Sequence, residues 1–347
     1  MQSSDPASTG PLPPALTDKI RRALIQAFGD RGTWQIELER SIGRTGRRRM
    51  LVRAGNPLTG QDVAIKVHAA RQRNRSEFRA LSHLHRRSQA SVAPFFLGRG
   101  NGFFAMEWID APLMKRRLEG PDRAAALTAL GAWLADLHGS GPAPWSTWWR
   151  TPRLGLPLLD GTGPIGQATA RLRARAARVP FDGPIAVLHG DFHAGNFFDL
   201  DGRPVAFDRE HDRVGSICFD LAKLLTDIAD RRERAALEGR PWSGDADADR
   251  HAFFAGYGAV PGVVVALLDL IEDIGVYRLW ARALSRNKPP VLEAEMRQRG
   301  LIGTAGAATR PGRLVASATN PAGTWCTDPV PIPARAGLRG WLRARFG

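Results

Sequence analysis

The sequence predicts an α+β fold in two parts: a small antiparallel sheet carrying one helix, then a mostly helical part. Three observations carry this prediction. Between residues 34 and 108 apolar positions alternate in short runs broken by turn residues. Beyond residue 110 they recur at helical spacing over long segments. Within that helical part a short apolar run, Ile185-Ala186-Val187-Leu188, leads into a Gly-containing loop and a hairpin signal at Asp201-Gly202.

Each element follows in order. Residues 1–15 are rich in Ser and Pro and are expected to be disordered. Leu16–Phe28 has helical spacing. Trp34–Ile42 alternates, Arg49–Arg53 is a short strand, and Asn56-Pro57-Leu58-Thr59-Gly60 is a turn before the strand Val63–Val67. Residues 69–88 read as a basic helix with Phe78, Leu81 and Leu84 on one face. Two strands close the sheet, Ala93–Leu97 and Phe103–Trp108. After Ile109 come a helix at Ala124–His138, a Pro/Trp-rich loop at 139–160 and a basic helix near 166–178. The buried strand 185–188, the loop His189–Asn196 and a hairpin over Phe197–Phe207 follow, then helices at 218–239, 248–257 and 262–286. From Gly300 to Gly347, 22 of 48 residues are Gly, Pro or Ala, so little core is expected there. The division is 1–15, 16–109, 110–290 and a basic tail at 291–347.

Composition narrows the function. The 347 residues are 43% hydrophobic and 24% charged, enough for a sizeable core. Two cysteines, Cys218 and Cys326, are too few for a disulfide framework or a thiolate zinc site. The net charge is +15, unevenly spread: residues 199–273 hold 16 acidic against 9 basic residues, −7, which leaves +22 elsewhere. No recognition motif accompanies the basic excess, so no specific nucleic-acid partner is expected. The first fourteen residues lack a basic start and an apolar core, and the apolar run Val263–Ile271 is too short and too charged to span a bilayer. A cytoplasmic protein is expected.

The chemistry concentrates in VLHGDFHAGNFF, residues 187–198, where His189, Asp191 and Asn196 follow H-x-D-x-x-x-x-N and Phe207-Asp208 comes shortly after. Phosphoryl transfer asks for one carboxylate to orient an attacking hydroxyl and take its proton, and for hard oxygen ligands to Mg²⁺. Asp191 suits the first task, Asn196 and Asp208 the second. Taken singly, each is also an ordinary turn residue.

These motifs, with the later FDLAKLL, resemble the aminoglycoside phosphotransferase and choline kinase family on the bilobal protein-kinase-like fold. The second histidine, His193, and the long interval after Asp136-Leu137-His138 are typical of that family. The resemblance covers roughly residues 30–290. It implies an N-lobe at 16–109 that binds ATP and a C-lobe at 110–290 that binds the acceptor. Ala64-Ile65-Lys66 resembles the lysine strand, so Lys66 would hold the α/β-phosphates with Glu77 as its ion-pair partner. Glu107 and Ile109 would offer backbone groups to adenine. Asp220 would hold the catalytic loop's backbone, with His189 and His193 as structural support. The phosphate-covering loop, Ser41–Gly46, has two glycines where three are usual. After Asp208, Arg209 stands where an aromatic residue is common, and Glu210 matches the acid that follows it.

The implied function is transfer of a phosphoryl group from MgATP to a hydroxyl of a small molecule: an aminoglycoside, an amino alcohol or a sugar. A lipopolysaccharide-core or other surface-glycolipid sugar, a protein acceptor and a nucleotide-binding pseudokinase are alternatives. The acidic stretch would suit a cationic acceptor. The basic remainder and the apolar positions Leu338, Trp341, Leu342 and Phe346 would suit weak contact with an anionic membrane surface.

Overall fold

A computed structural model describes residues 12–29, 34–42, 49–68, 70–87, 90–98, 102–139, 162–179, 184–209, 213–242, 244–260, 262–286 and 291–303. The expectations for the Ser41–Gly46 loop at its glycines, for 140–161, for Glu210 and for Leu338–Phe346 lie outside these residues.

The N-lobe is a five-stranded antiparallel sheet of order β1-β2-β3-β5-β4. Its strands are β1 (Gln35–Ile42), β2 (Arg49–Asn56), β3 (Gln61–His68), β4 (Pro94–Leu97) and β5 (Phe103–Glu107). Alternation gives the sheet one face for the first helix, α1 (Pro14–Phe28), whose Ile20 and Leu24 are buried with Trp34, Val52, Ile65 and Phe103. Helix α1 starts at Pro14, inside the segment expected to be disordered. Proline fits a first helical turn, where its missing N–H has no intrahelical partner to lose. The opposite face receives α2 (Arg71–Arg86), inserted between β3 and β4, through Leu81 packed with Ala64, Phe104 and Met106.

The C-lobe is built on α4 (Arg123–Gly139), which follows a short helix, α3 (Met114–Leu118). Helix α5 (Gly163–Ala176) leads to β6 (Ile185–Leu188), which is buried along its whole length. The hairpin of β7 (Phe197–Leu200) and β8 (Arg203–Ala206) turns at Asp201-Gly202, both at positive φ. Strand β9 (Arg213–Ser216), which the sequence reading missed, pairs antiparallel with β6. Helices α6 (Cys218–Leu237), α7 (Ala246–Tyr257) and α8 (Gly262–Leu284) complete the core around Leu127, Leu130, Leu134, Leu221, Phe253 and Leu268. None of the helices among the described residues is long and apolar enough to cross a membrane.

The expected tail boundary at 291 is wrong for its first thirteen residues. Helix α9 (Glu293–Gln298) and the turns around it bury Leu292, Met296, Leu301 and Ile302 against Tyr277, Trp280 and Leu172. Arg299 is fully buried among Glu272, Asp273 and Glu295. Four apolar side chains and one matched cation dock this segment, a local signal diluted by the Gly/Pro/Ala content that follows it.

The lobes are joined at a seam of backbone. The segment before β4 bonds to β8 through Val92 N–H to Ala206 O, 2.9 Å, and Ala206 N–H to Ala90 O, 3.1 Å. This seam puts β3, α2 and the loop after β6 on one cleft.

Candidate active site

Strand β3 points Lys66 and His68 to the same face, two residues apart. Helix α2 lays Glu77 against them. The Lys66 ammonium is ion-paired with Glu77 Oε1, lies 3.4 Å from Asp208 Oδ1 and donates to Phe207 O at 3.1 Å. His68 Nε2 meets the other Glu77 oxygen at 3.0 Å. Burial alone would lower the Lys66 pKa, but Asp208 and Glu77 outweigh it and raise it. Burial likewise opposes ionisation of Glu77, yet Lys66 and His68 bring it down to about 2. Asp208 goes the other way: burial and the neighbouring Glu77 raise it in spite of Lys66.

The loop after β6 is set from beneath. Asp220, in the first turn of α6, accepts the amides of His189 at 2.7 Å and Gly190 at 2.9 Å. Gly190 has φ +88°, a conformation that favours glycine and lets both amides face one carboxylate. Asp220 is itself braced by His138 Nε2 at 3.3 Å, whose Nδ1 lies 2.8 Å from the Tyr257 hydroxyl. Burial opposes its ionisation; the hydrogen bond from His138 and its neighbours hold it below the usual carboxylate range. His189 packs against Trp133, Phe192 and Phe197, and burial pushes its pKa down to about 3.

Asp191 stands one residue beyond this anchor. Its Oδ2 accepts from Asn196 Nδ2 at 3.3 Å and lies 3.4 Å from His193 Nε2; its Oδ1 is 3.0 Å from the Lys223 ammonium. Gly195 N–H donates to His193 Nδ1 at 3.1 Å, which leaves the ring proton on Nε2, toward Asp191. Burial works against the Asp191 charge, but His193 and Lys223 hold it well below the usual carboxylate range. Asn196 also donates to Asp191 O at 2.9 Å, and its backbone carbonyl takes the Phe207 amide at 3.2 Å. A continuous chain of contacts therefore runs Lys66–Phe207–Asn196–Asp191, and eight of the ten residues singled out in the sequence cluster at this cleft.

Glu107 and Ile109 lie at the end of β5, where the Glu107 amide bonds to Ala93 O at 2.8 Å and its carboxylate takes the Ala93 amide at 3.1 Å. Beside them Trp108, under the Arg53 guanidinium at 4.9 Å, and Ile109 pack with Ala64, Met106, Phe198 and Phe207, an apolar group at the cleft.

Two residues, Lys223 and His68, escaped the sequence reading, as did the role of a third, Arg209. Lys223 lies three positions after Asp220, on the same face of α6, a spacing that marks it. His68 shares a strand face with Lys66. Arg209 is 1% exposed and donates to Leu188 O through Nε and Nη2 and to Ala80 O through Nη1. In place of an aromatic side chain, it ties α2 to the end of β6.

The donor set fits a magnesium ion. The Asn196 amide nitrogen is engaged with Asp191, so its carbonyl oxygen is the group left to offer a cation. Asp208 is a carboxylate that shares the Lys66 ammonium with Glu77. Among the described residues no cluster of three His, Cys, Asp or Glu could hold a metal without further ligands. Magnesium on a nucleotide needs only one or two protein oxygens beside phosphates and water.

Comparison with known proteins identifies the family and the fold. The model of the phosphotransferase enzyme family APH matches residues 44–264. A comparison with curated protein sequences finds no match. Among solved structures, a choline/ethanolamine kinase family protein from Mesorhizobium loti superposes with TM-score 0.51 at 18% identity, covering 84% of this chain and 96% of its own. A glucosamine kinase superposes with TM-score 0.52 at 17% identity, covering 77% and 81%. Amicoumacin kinase does so with TM-score 0.50 at 14% identity, covering 83% and 94%. At these identities the likeness establishes the protein-kinase-like fold.

Proposed function

We propose, from the premise that the chain belongs to the phosphotransferase enzyme family and is a kinase, that its cleft moves the γ-phosphoryl group of MgATP to a hydroxyl of a small molecule. The observation that carries this reading is the chain of contacts from the Lys66–Glu77 pair through Phe207 and Asn196 to Asp191.

Each residue then has one task. Lys66, held straight by Glu77 and His68, neutralises the α/β-phosphates. Glu107 and Ile109 present backbone groups to the adenine edge, over the apolar bed of Ala64, Met106 and Phe207. Asn196 and Asp208 would hold magnesium, which would supply positive charge to neutralise the phosphate oxygens. Asp191 takes the acceptor hydroxyl as a hydrogen-bond donor. As the hydroxyl oxygen bonds to the γ-phosphorus, the bond from that phosphorus to the β,γ-bridging oxygen breaks, and the hydroxyl proton passes to Asp191. An ionised carboxylate is the form this step needs, and His193 and Lys223 favour it. Positioning and charge neutralisation, rather than covalent help, supply the rate. The neighbours named for choline/ethanolamine and glucosamine support a small hydroxyl compound as the acceptor class.

The test is ADP formation by the purified full chain with MgATP across a panel of amino alcohols, aminoglycosides, sugars and glycolipid headgroups. Acceptor-dependent ADP with a matching phosphorylated product is expected for at least one small molecule. Product found only on protein, or no acceptor dependence at all, overturns the reading.

A further inference from the structure

We propose that Lys223 sets the charge of the acceptor: the group beside the reacting hydroxyl is neutral or anionic, and an ammonium there is disfavoured. The inference rests on the kinase reading above and deepens it.

The two oxygens of Asp191 are not equivalent. Oδ2 is occupied by Asn196 at 3.3 Å and by His193 at 3.4 Å. Oδ1 lies against the Lys223 ammonium at 3.0 Å, and no other side chain among the described residues is recorded on it. The acceptor hydroxyl therefore reaches Asp191 at Oδ1 and shares that oxygen with a cation. The Lys223 side chain is 48% exposed and that of Asp191 33%, so the pair is open to solvent and to an incoming molecule. The backbone that carries it is set against the loop, because Asp220 one turn earlier on α6 grips the loop through His189 and Gly190.

A second observation points the same way. The acidic stretch 199–273 looks made for a cationic acceptor, but five of its described carboxylates are paired with arginines of the protein. Asp199 pairs with Arg117, Asp227 with Arg231, Asp249 with Arg123, Glu272 with Arg250 and Asp273 with Arg299. None of these five faces Asp191 as a spare anion. Lys223 puts a cation on the Asp191 oxygen that the acceptor hydroxyl needs, and like charge at short range discriminates against an ammonium there.

The experiment uses the full chain, MgATP and matched acceptor triplets that differ only in charge beside a hydroxyl: glucose, glucuronate and glucosamine; ethylene glycol, glycolate and ethanolamine. The readout is kcat/KM for wild type, Lys223→Arg, Lys223→Ala and Lys223→Glu, with thermal midpoints to establish folding. Wild type is expected to favour the neutral or anionic member of any triplet it uses. Lys223→Arg keeps that order and Lys223→Ala flattens it. Lys223→Glu shifts the ratio of ammonium to carboxylate member by about tenfold toward ammonium, because the local sign is reversed on a half-exposed site. A wild type that prefers the ammonium member overturns the inference and leaves the kinase reading standing. So does a set of variants that lower every member of a triplet by one common factor. Absence of acceptor-dependent ADP across this panel and the wider one overturns both.

Discussion

At the residue scale the site separates a group that reacts from groups that hold it. On the proposed mechanism Asp191 takes the acceptor proton, so Asp191→Asn is expected to lower kcat by about 10²–10⁴ while nucleotide affinity stays within about twofold. Steady-state rates and calorimetry with ATP separate the two; undiminished turnover removes Asp191 from the role. His189 offers a different test, because it does no chemistry. Burial holds its folded pKa near 3, against an ordinary 6.5, so the native state keeps it neutral where the unfolded chain protonates it. Between those two values the unfolded state binds the extra proton, and stability falls as pH falls. The expected slope approaches about 1.4 kcal/mol per pH unit below pH 6.5 and vanishes above it. Urea midpoints at pH 7 and pH 5 should therefore separate more in wild type than in His189→Gln, which cannot titrate there. Equal separation in both would locate the acid sensitivity elsewhere.

At the element scale the loop is only as firm as the helices beneath it. Asp220 depends on His138 from α4 and, through it, on Tyr257 from α7. These two helices cross almost backbone to backbone: a Cβ on Gly256 would sit 1.9 Å from Thr128 O, and one on Gly131 2.2 Å from Phe253 O. Gly256→Ala is therefore expected to push α7 off α4 at a cost of at least about 1–3 kcal/mol. The shift also moves Tyr257 from His138, so turnover should fall further than the folded fraction accounts for. Parallel denaturant titrations and rates per folded molecule check this; loss of stability alone would leave the brace without a functional part. The elements that sequence made legible are those whose signal is local. Lys66 on an alternating strand and the spacing of His189, Asp191 and Asn196 are short-range patterns, while Glu77 as the partner of Lys66 comes from the family resemblance. Strand β9 was missed because Arg213–Ser216 has one large apolar residue and becomes a strand only by pairing with β6. Lys223 was missed because its meaning depends on a loop thirty residues earlier. Arg209 read as a mismatch, since nothing in sequence shows that its guanidinium reaches carbonyls on both β6 and α2.

At the scale of the whole molecule, the C-lobe closes on a buried charge cluster that sequence averaging concealed. The 48 residues from Gly300 are rich in Gly, Pro and Ala with no sustained period, so 300–303 vanish into that average, and the short stretch 291–299 reads as part of the tail that follows it. The structure sets them against α5 and α8. Arg299 is 0% exposed and meets Glu272, Asp273 and Glu295, while Arg171 on α5 donates to the carbonyls of Gly300 and Gly303 at 2.9 Å each. A chain stopped after Pro290 would strand Glu272 and Asp273 without their deepest cation and uncover the pocket of Met296 and Leu301. Glu272 keeps Arg250 and Asp273 keeps Arg175, so what is lost is one shared buried cation; breaking buried pairs of this kind costs up to about 3–5 kcal/mol, a large fraction of a typical domain's stability. A chain stopped after Gly303 keeps every one of these contacts, whereas a stop at Arg299 would forfeit both Arg171 bonds and the burial of Leu301 and Ile302. The expected order of thermal midpoints is full chain and 1–303 together, 1–299 below them, and 1–290 lowest or unfolded. Arg299→Met in the full chain isolates the cation from the apolar docking and should fall between 1–303 and 1–290. Equal midpoints for 1–290 and 1–303 would show that α9 rests on the C-lobe without holding it, and would return the boundary of the catalytic domain to residue 290.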